Sequence, residues 1–207
     1  MTDDLFSDSS GPLLLPVEDA ELIYMESIDL LRKPNALMST LIAETPWRAE
    51  EVVVWGKRFP QPRLIAWYGD EGSSYAYSGI ALKPLPWTPV LLNIKQRVES
   101  LAYYQFNSVL LNYYRDNRDS MGMHSDDEPE LGSKPTIASL SLGETRTLVF
   151  AHKFDRTAST FKLLLKSGSL LIMKGPTQQN WKHGINKESR RCGPRVNLTF
   201  RRINAVL

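Results

Sequence analysis

An α+β domain with a double-stranded β-helix (jelly-roll) core is the fold class this sequence predicts, and three observations predict it. Apolar runs with helical spacing fall within the first hundred or so residues. Past Asn107 nearly every apolar run is short, rich in β-branched or aromatic residues, and bounded by turn residues. The length of 207 residues suits one domain with a sizeable core.

The elements follow in order. The opening residues, MTDDLFSDSSGPLLLP, are acidic and Ser-rich, without the basic stretch that begins a secretory signal, so residues 1–18 are expected to be a flexible segment ahead of a single domain over 19–207. DAELIYMESIDLLRKP sets apolar side chains at Leu22, Ile23, Met25, Ile28 and Leu31, which predicts an amphipathic helix stopped by Pro34. NALMSTLIAETPW predicts a second helix ending near Pro46. From Glu51, EVVVWGKRFPQPRLIAWYGD is β-branched and aromatic and then broken by Gly and Pro, as in strands joined by a hairpin. TPVLLNIKQRVESLAYY predicts a helix opened by Thr88 and Pro89. The strands come next: SVLLNYYRD, TIASLSLG, TRTLVFAHK, TFKLLLKSG, SLLIMKG and RVNLTFRRI, with SLGETRT and LKSGSLL as hairpin turns.

Composition excludes some chemistries. Cys192 is the only cysteine, so an internal disulfide and a Cys-rich zinc site are impossible, and a reducing compartment is expected. No apolar run approaches the ~18 residues a membrane helix needs. The net charge of +2 leaves nucleic acid and small molecules equally open as partners.

The chain holds three histidines, His124, His152 and His183. In MHSDDE, His124 and Asp126 are two apart, and on an extended chain they project to one side. One imidazole and one carboxylate on one side are two-thirds of the two-His, one-carboxylate set that holds iron(II) with positions left open. The third ligand is then His152 or His183, and His183, at the end of a strand region late in the sandwich, is favoured. In RVNLTFR, Arg195, Asn197, Thr199 and Arg201 alternate with Val196, Leu198 and Phe200. Two guanidinium groups on one face suit a dianion. Asn112 and Tyr114 share a face in LLNYY in the same way. A polar face turned inward is expensive unless a ligand or metal satisfies it.

Together these segments resemble the AlkB family of iron(II)- and 2-oxoglutarate-dependent nucleic-acid demethylases, over about Val52 to Ile203. NYYRDNRDSMGMHSDDE is similar to the family's N-x-Y…H-x-D segment, and HGINKESRRCGPRVNLTFR to its distal histidine and R-x-N-L-T-x-R strand. YGDEGSSYAYSG and the HSDDE form look closest to the DNA-repair branch. The resemblance implies His124, Asp126 and His183 as iron ligands. It implies Arg201 on the distal carboxylate of 2-oxoglutarate, Arg195 near the carboxylate cluster, and Asn112, Tyr114, Asn197 and Thr199 as further co-substrate contacts. It implies Fe(II), 2-oxoglutarate and O2 as cofactors, with succinate, CO2 and formaldehyde released as N1-methyladenine or N3-methylcytosine is restored.

A methyl on a pairing edge is reached only in a flipped or single-stranded base. Residues about 50–85 are the expected substrate-recognition region. There Tyr75 and Tyr77 share a strand face and offer a wall for the base, Val54, Trp55 and Gly56 fall where related members carry an intercalating finger, and Lys57 is adjacent. Asp127 and Glu128 are the candidates for exocyclic groups. Five basic residues between Lys182 and Arg202 are left for phosphates once Arg195 and Arg201 turn inward; Lys57, Arg58 and Arg63 form a second cluster. Expected partners are alkylated DNA, single-stranded or duplex, with RNA as the other candidate, in a monomer located in a bacterial cytoplasm rather than a nucleus. The competing classes are the same oxygenase chemistry on RNA, protein or a small molecule, and a nucleic-acid-binding module with an inactive metal site.

Overall fold

The computed structural model describes residues 11–54, 57–71, 75–77, 80–82 and 84–204. Its strands are β1 (Leu13–Leu14), β2 (Glu21–Met25), β3 (Glu51–Val54), β4 (Lys57–Pro60), β5 (Leu64–Gly69), β6 (Tyr75–Tyr77), β7 (Ile80–Leu82), β8 (Ser108–Tyr114), β9 (Met121–His124), β10 (Ile137–Gly143), β11 (Arg146–His152), β12 (Phe161–Leu165), β13 (Leu170–Lys174), β14 (Trp181–Ile185) and β15 (Arg195–Arg201). The helices are α1 (Pro34–Glu44), α2 (Pro89–Ala102) and the single turn α3 (Thr177–Asn180).

Two sheets face each other. A seven-stranded sheet runs β1-β2-β13-β10-β15-β8-β5, and a four-stranded sheet runs β12-β11-β14-β9, with β3–β4 and β6–β7 as separate hairpins. All strand pairs are antiparallel. The large sheet is covered on both sides. Leu37, Leu41, Leu91, Ile94 and Val98 of α1 and α2 pack with Leu111, Leu140, Val196, Leu198 and Phe200 on its outer face. On its inner face Trp67, Leu110, Tyr114 and Leu171 meet Leu148, Phe150, Leu163 and Ile185 of the small sheet. Val196, Leu198 and Phe200 of β15 therefore point to the helices, and period-two alternation turns Arg195, Asn197, Thr199 and Arg201 into the space between the sheets. The sandwich is the jelly roll expected, and α2 opens at Thr88, whose hydroxyl accepts a hydrogen bond from the Leu91 amide.

Four expectations are corrected. The segment expected as the first helix is strand β2, paired along its length with β13. A strand buried on both faces carries apolar residues at adjacent positions, and Leu22, Ile23 and Met25 imitate helical spacing for that reason. Pro34 starts α1 instead of stopping a helix. SLGETRT and LKSGSLL are not hairpin turns: β10 and β11, and β12 and β13, lie in different sheets, so both segments cross the sandwich. Gly143, at φ +93°, makes the first crossing; a Cβ there would lie 2.4 Å from the Pro194 carbonyl oxygen. Finally, the segment 1–18 includes β1, which pairs with β2, and Leu15, which is buried.

Candidate metal centre and anion pocket

Two strands that the sequence pattern did not reveal build the metal centre. MGMH of β9 has no β-branched residue and is half solvated, and WKHGI of β14 contains a glycine. They pair with His183 directly opposite His124, which puts both imidazoles on one face with ring centroids 4.4 Å apart. Gly184 permits this approach. A Cβ there would sit 2.9 Å from the Met121 carbonyl oxygen, and the register shifts at this point, between His183 and Ile185.

Asp126 lies just past the end of β9. One ligand atom from each of His124, Asp126 and His183 falls within 4.8 Å of the others. Nε2 of His183 is 3.9 Å from Oδ2 of Asp126. Nδ1 of His124 is 3.0 Å from the Gly122 carbonyl oxygen. A carbonyl only accepts, so Nδ1 is the donor in this bond and Nε2 is the ring nitrogen left for a cation. Burial alone would raise the Asp126 carboxyl; the Arg201 guanidinium, the two imidazoles and the Arg201 hydrogen bond outweigh that and hold it at about 2. Burial, then the neighbouring His124, lowers His183 to about 3. Near neutral pH the set is thus one carboxylate and a neutral imidazole at His183. Oδ2 of Asp126 is buried without a hydrogen-bond partner. A buried carboxylate oxygen with no donor, beside two imidazoles, fits a divalent cation, and the donor set fits iron(II).

The pocket continues from this centre along the inner faces of β8 and β15, where Asn112 pairs with Asn197 and Tyr114 with Arg195. Arg195 is 1% exposed. Its Nη2 donates to the Ser141 hydroxyl at 3.0 Å and its guanidinium lies 5.1 Å from the Tyr114 ring centroid. Its Nε and Nη1 are buried without hydrogen-bond partners, so the far end of the pocket offers the N–H donors of two nitrogens to an anion. Thr199 donates to Asn197 Oδ1, and Asn197 donates to Ser139, so the polar lining is held together.

The structure redistributes several expected roles. Arg201, expected on a distal carboxylate, donates from Nη2 to Asp126 Oδ1 at 2.6 Å and so belongs to the metal end. Its parity was legible in the sequence; its partner, 75 positions away, was not. Arg63, expected among phosphate contacts, is 4% exposed and donates from Nε to Asn112 Oδ1 at 2.8 Å. Lys182, Lys187, Arg190, Arg191 and Arg202 are exposed, as the partition of the basic residues required. Asp127 pairs with Lys153 at 2.8 Å, whereas Glu128 keeps a buried Oε2 without a hydrogen-bond partner. His152 is not at the centre: its Nδ1 accepts the Phe154 and Asp155 amides and its Nε2 lies 3.6 Å from Asp19. Trp55 and Gly56 fall outside the described residues. Val54 and Lys57 belong to the β3–β4 hairpin, and Tyr75 and Tyr77 to β6.

Sequence reasoning missed two residues. Arg146 is buried and donates to the carbonyls of Asp119 and Asn186, bracing the segments that lead into β9 and out of β14. Its signal was an arginine in phase with Leu148 and Phe150 on the inward face of TRTLVF. Gln178, on α3, accepts the Asp126 amide at 2.9 Å and carries no local signal.

Comparison with known proteins agrees with this geometry. Residues 30–201 match the 2OG-Fe(II) oxygenase superfamily. The chain is 43% identical over 189 residues to alpha-ketoglutarate-dependent dioxygenase alkB homolog 3 of Mus musculus, a match covering 87% of this chain and 65% of that protein. It is 44% identical over 159 residues to DNA oxidative demethylase ALKBH2 of Mus musculus, covering 74% of this chain and 66% of the other. The chain therefore spans just under two-thirds of these relatives. A solved structure, that of OsALKBH1, superposes with a TM-score of 0.61 at 16% identity over 92% of this chain and 100% of its own, a likeness of fold.

Proposed function

Since the chain belongs to the 2OG-Fe(II) oxygenase superfamily, within its AlkB family, we propose that it oxidatively demethylates N-alkylated bases in DNA, with N1-methyladenine and N3-methylcytosine as substrates. One observation carries the proposal. A two-His, one-carboxylate cluster opens into a polar channel that ends at a buried guanidinium with two nitrogens unpartnered.

Iron(II) with 2-oxoglutarate supplies O2 activation and oxidation of the methyl group; the chain supplies position and exclusion of water. His124, Asp126 and His183 hold the metal. Arg195 takes the distal carboxylate of the keto-diacid, because its buried cation keeps N–H donors at Nε and Nη1 that have no partner in the protein. Arg201 neutralises and orients Asp126. Asn112 commits its Oδ1 to Arg63 and offers its amide N–H to the co-substrate beside Tyr114 and Thr199. On the substrate side, Tyr75 and Tyr77, two positions apart in β6, are the residues assigned to a wall for a flipped base. Glu128 is the better candidate for an exocyclic amino group, since Asp127 is engaged by Lys153.

The test is succinate and formaldehyde measured together on methylated single-stranded DNA, duplex DNA and RNA oligonucleotides. Formaldehyde matching succinate on DNA supports the proposal. Formaldehyde confined to RNA or to free nucleosides moves the substrate class, and oligonucleotide binding without succinate indicates a binding module.

A further inference from the structure

Building on the metal centre proposed above, we infer that Gln178 is a positioning residue that fixes Asp126 before any metal arrives. Gln178 is 1% exposed and sits on the single turn α3, between β13 and β14, five residues ahead of His183. A buried side-chain amide is costly unless its groups are paired. Here Oε1 accepts the Asp126 amide at 2.9 Å and Nε2 donates to Met173 Sδ at 3.5 Å.

This bond is the innermost of a short seam. The Ser125 hydroxyl donates to the Trp181 carbonyl at 2.9 Å. Lys153 Nζ donates to the Gln178 carbonyl at 2.7 Å and to Asp127 Oδ2 at 2.8 Å. Residues 125–127, which leave β9 after His124, are thereby joined to residues 178–181, which lead into His183. Asp126 lies beyond the last β9–β14 register pair, so its amide has no ladder partner and needs a side chain. Gln178 anchors the backbone of the ligand and Arg201 anchors Oδ1, which leaves Oδ2 aimed at the imidazoles. Outer partners of this kind typically change metal affinity 10–100-fold.

The experiment compares wild type, Gln178→Met and Gln178→Glu by anaerobic calorimetry of Fe(II) alone, with amide hydrogen exchange of the metal-free proteins alongside. Methionine keeps the length but replaces the amide oxygen with a weakly accepting thioether; glutamate keeps the shape and an oxygen acceptor. The expected result is Fe(II) affinity about tenfold or more weaker in Gln178→Met, with faster exchange at Asp126, and most of the affinity recovered in Gln178→Glu. Unchanged affinity in Gln178→Met, or equal loss in both variants, overturns the inference. Should Gln178→Met not fold, the metal-free wild type decides. A protected Asp126 amide supports the role, and one exchanging like an open loop overturns it. Wild type that binds no Fe(II) overturns the metal centre itself; wild type that binds beside an unaffected variant overturns only Gln178.

Discussion

Strand β15 carries an arginine at each end of one buried face, and the two ends meet different surroundings. At Arg201 the guanidinium closes on Asp126, so charge there is balanced within the protein. At Arg195 a hydroxyl and an aromatic face are the neighbours, and among the described residues no carboxylate pairs with it. Burial works against the Arg195 charge and lowers its pKa. A buried, uncompensated guanidinium destabilises the empty fold, and a bound dianion removes that penalty. The lesson is that two arginines related by the same alternation differ by what faces them: one is paired with Asp126, and the other keeps two nitrogens without a partner in the protein.

The largest effect expected of breaking this contrast comes at the metal end. Asp126→Ala removes a ligand and strands Arg201. Fe(II) affinity and turnover should fall by more than the 10–100-fold that loss of an outer partner costs. The metal-free fold should lose about 3–5 kcal/mol by denaturant titration, the cost of unpairing a buried charge. Next comes the paired test of the arginines. Arg195→Met should weaken 2-oxoglutarate binding about 10–100-fold, in line with the ~1.5–3 kcal/mol of a charged hydrogen bond, and leave Fe(II) affinity unchanged. Arg201→Met should weaken Fe(II) affinity and fold stability instead. Both are read by anaerobic calorimetry.

Smaller effects sharpen the picture outside the pocket. Replacing Arg190 and Arg191 together should flatten the salt dependence of DNA affinity by up to about two slope units, about 0.9 per phosphate contact. Arg63→Met should leave that slope unchanged, because Arg63 is buried against Asn112. A fourth effect concerns acid. His183 is lowered to about 3 from an ordinary 6.5, so the unfolded chain takes up the proton first. Stability of the metal-free fold from this group is full above pH 6.5 and is lost as pH falls toward 3. Asp126 adds a loss only lower, as pH falls from 3.8 to about 2. The Tm of His183→Asn should therefore drop less than wild type between pH 7 and 5.

Much of this was legible in the sequence because alternation is local. RVNLTFR and LLNYY showed which side chains turn inward, and HSDD with a distant histidine showed the ligand chemistry. What stayed hidden depended on contacts between remote segments. Strand β2 looked helical because both of its faces are buried. β9 and β14 were not among the runs read as strands, because MGMH has no β-branched residue and WKHGI carries Gly184, and glycine weakens a strand pattern. SLGETRT looked like a hairpin because nothing local records which sheet the next strand joins. Arg201 and Gln178 could be assigned only once Asp126 lay beside them.

An anomalous-difference map from crystals grown anaerobically with Fe(II) and 2-oxoglutarate separates the two ends of the pocket. One peak is expected, bound by His124, Asp126 and His183, with the distal carboxylate on Arg195. A peak elsewhere, or that carboxylate resting on Arg201, would contradict this assignment.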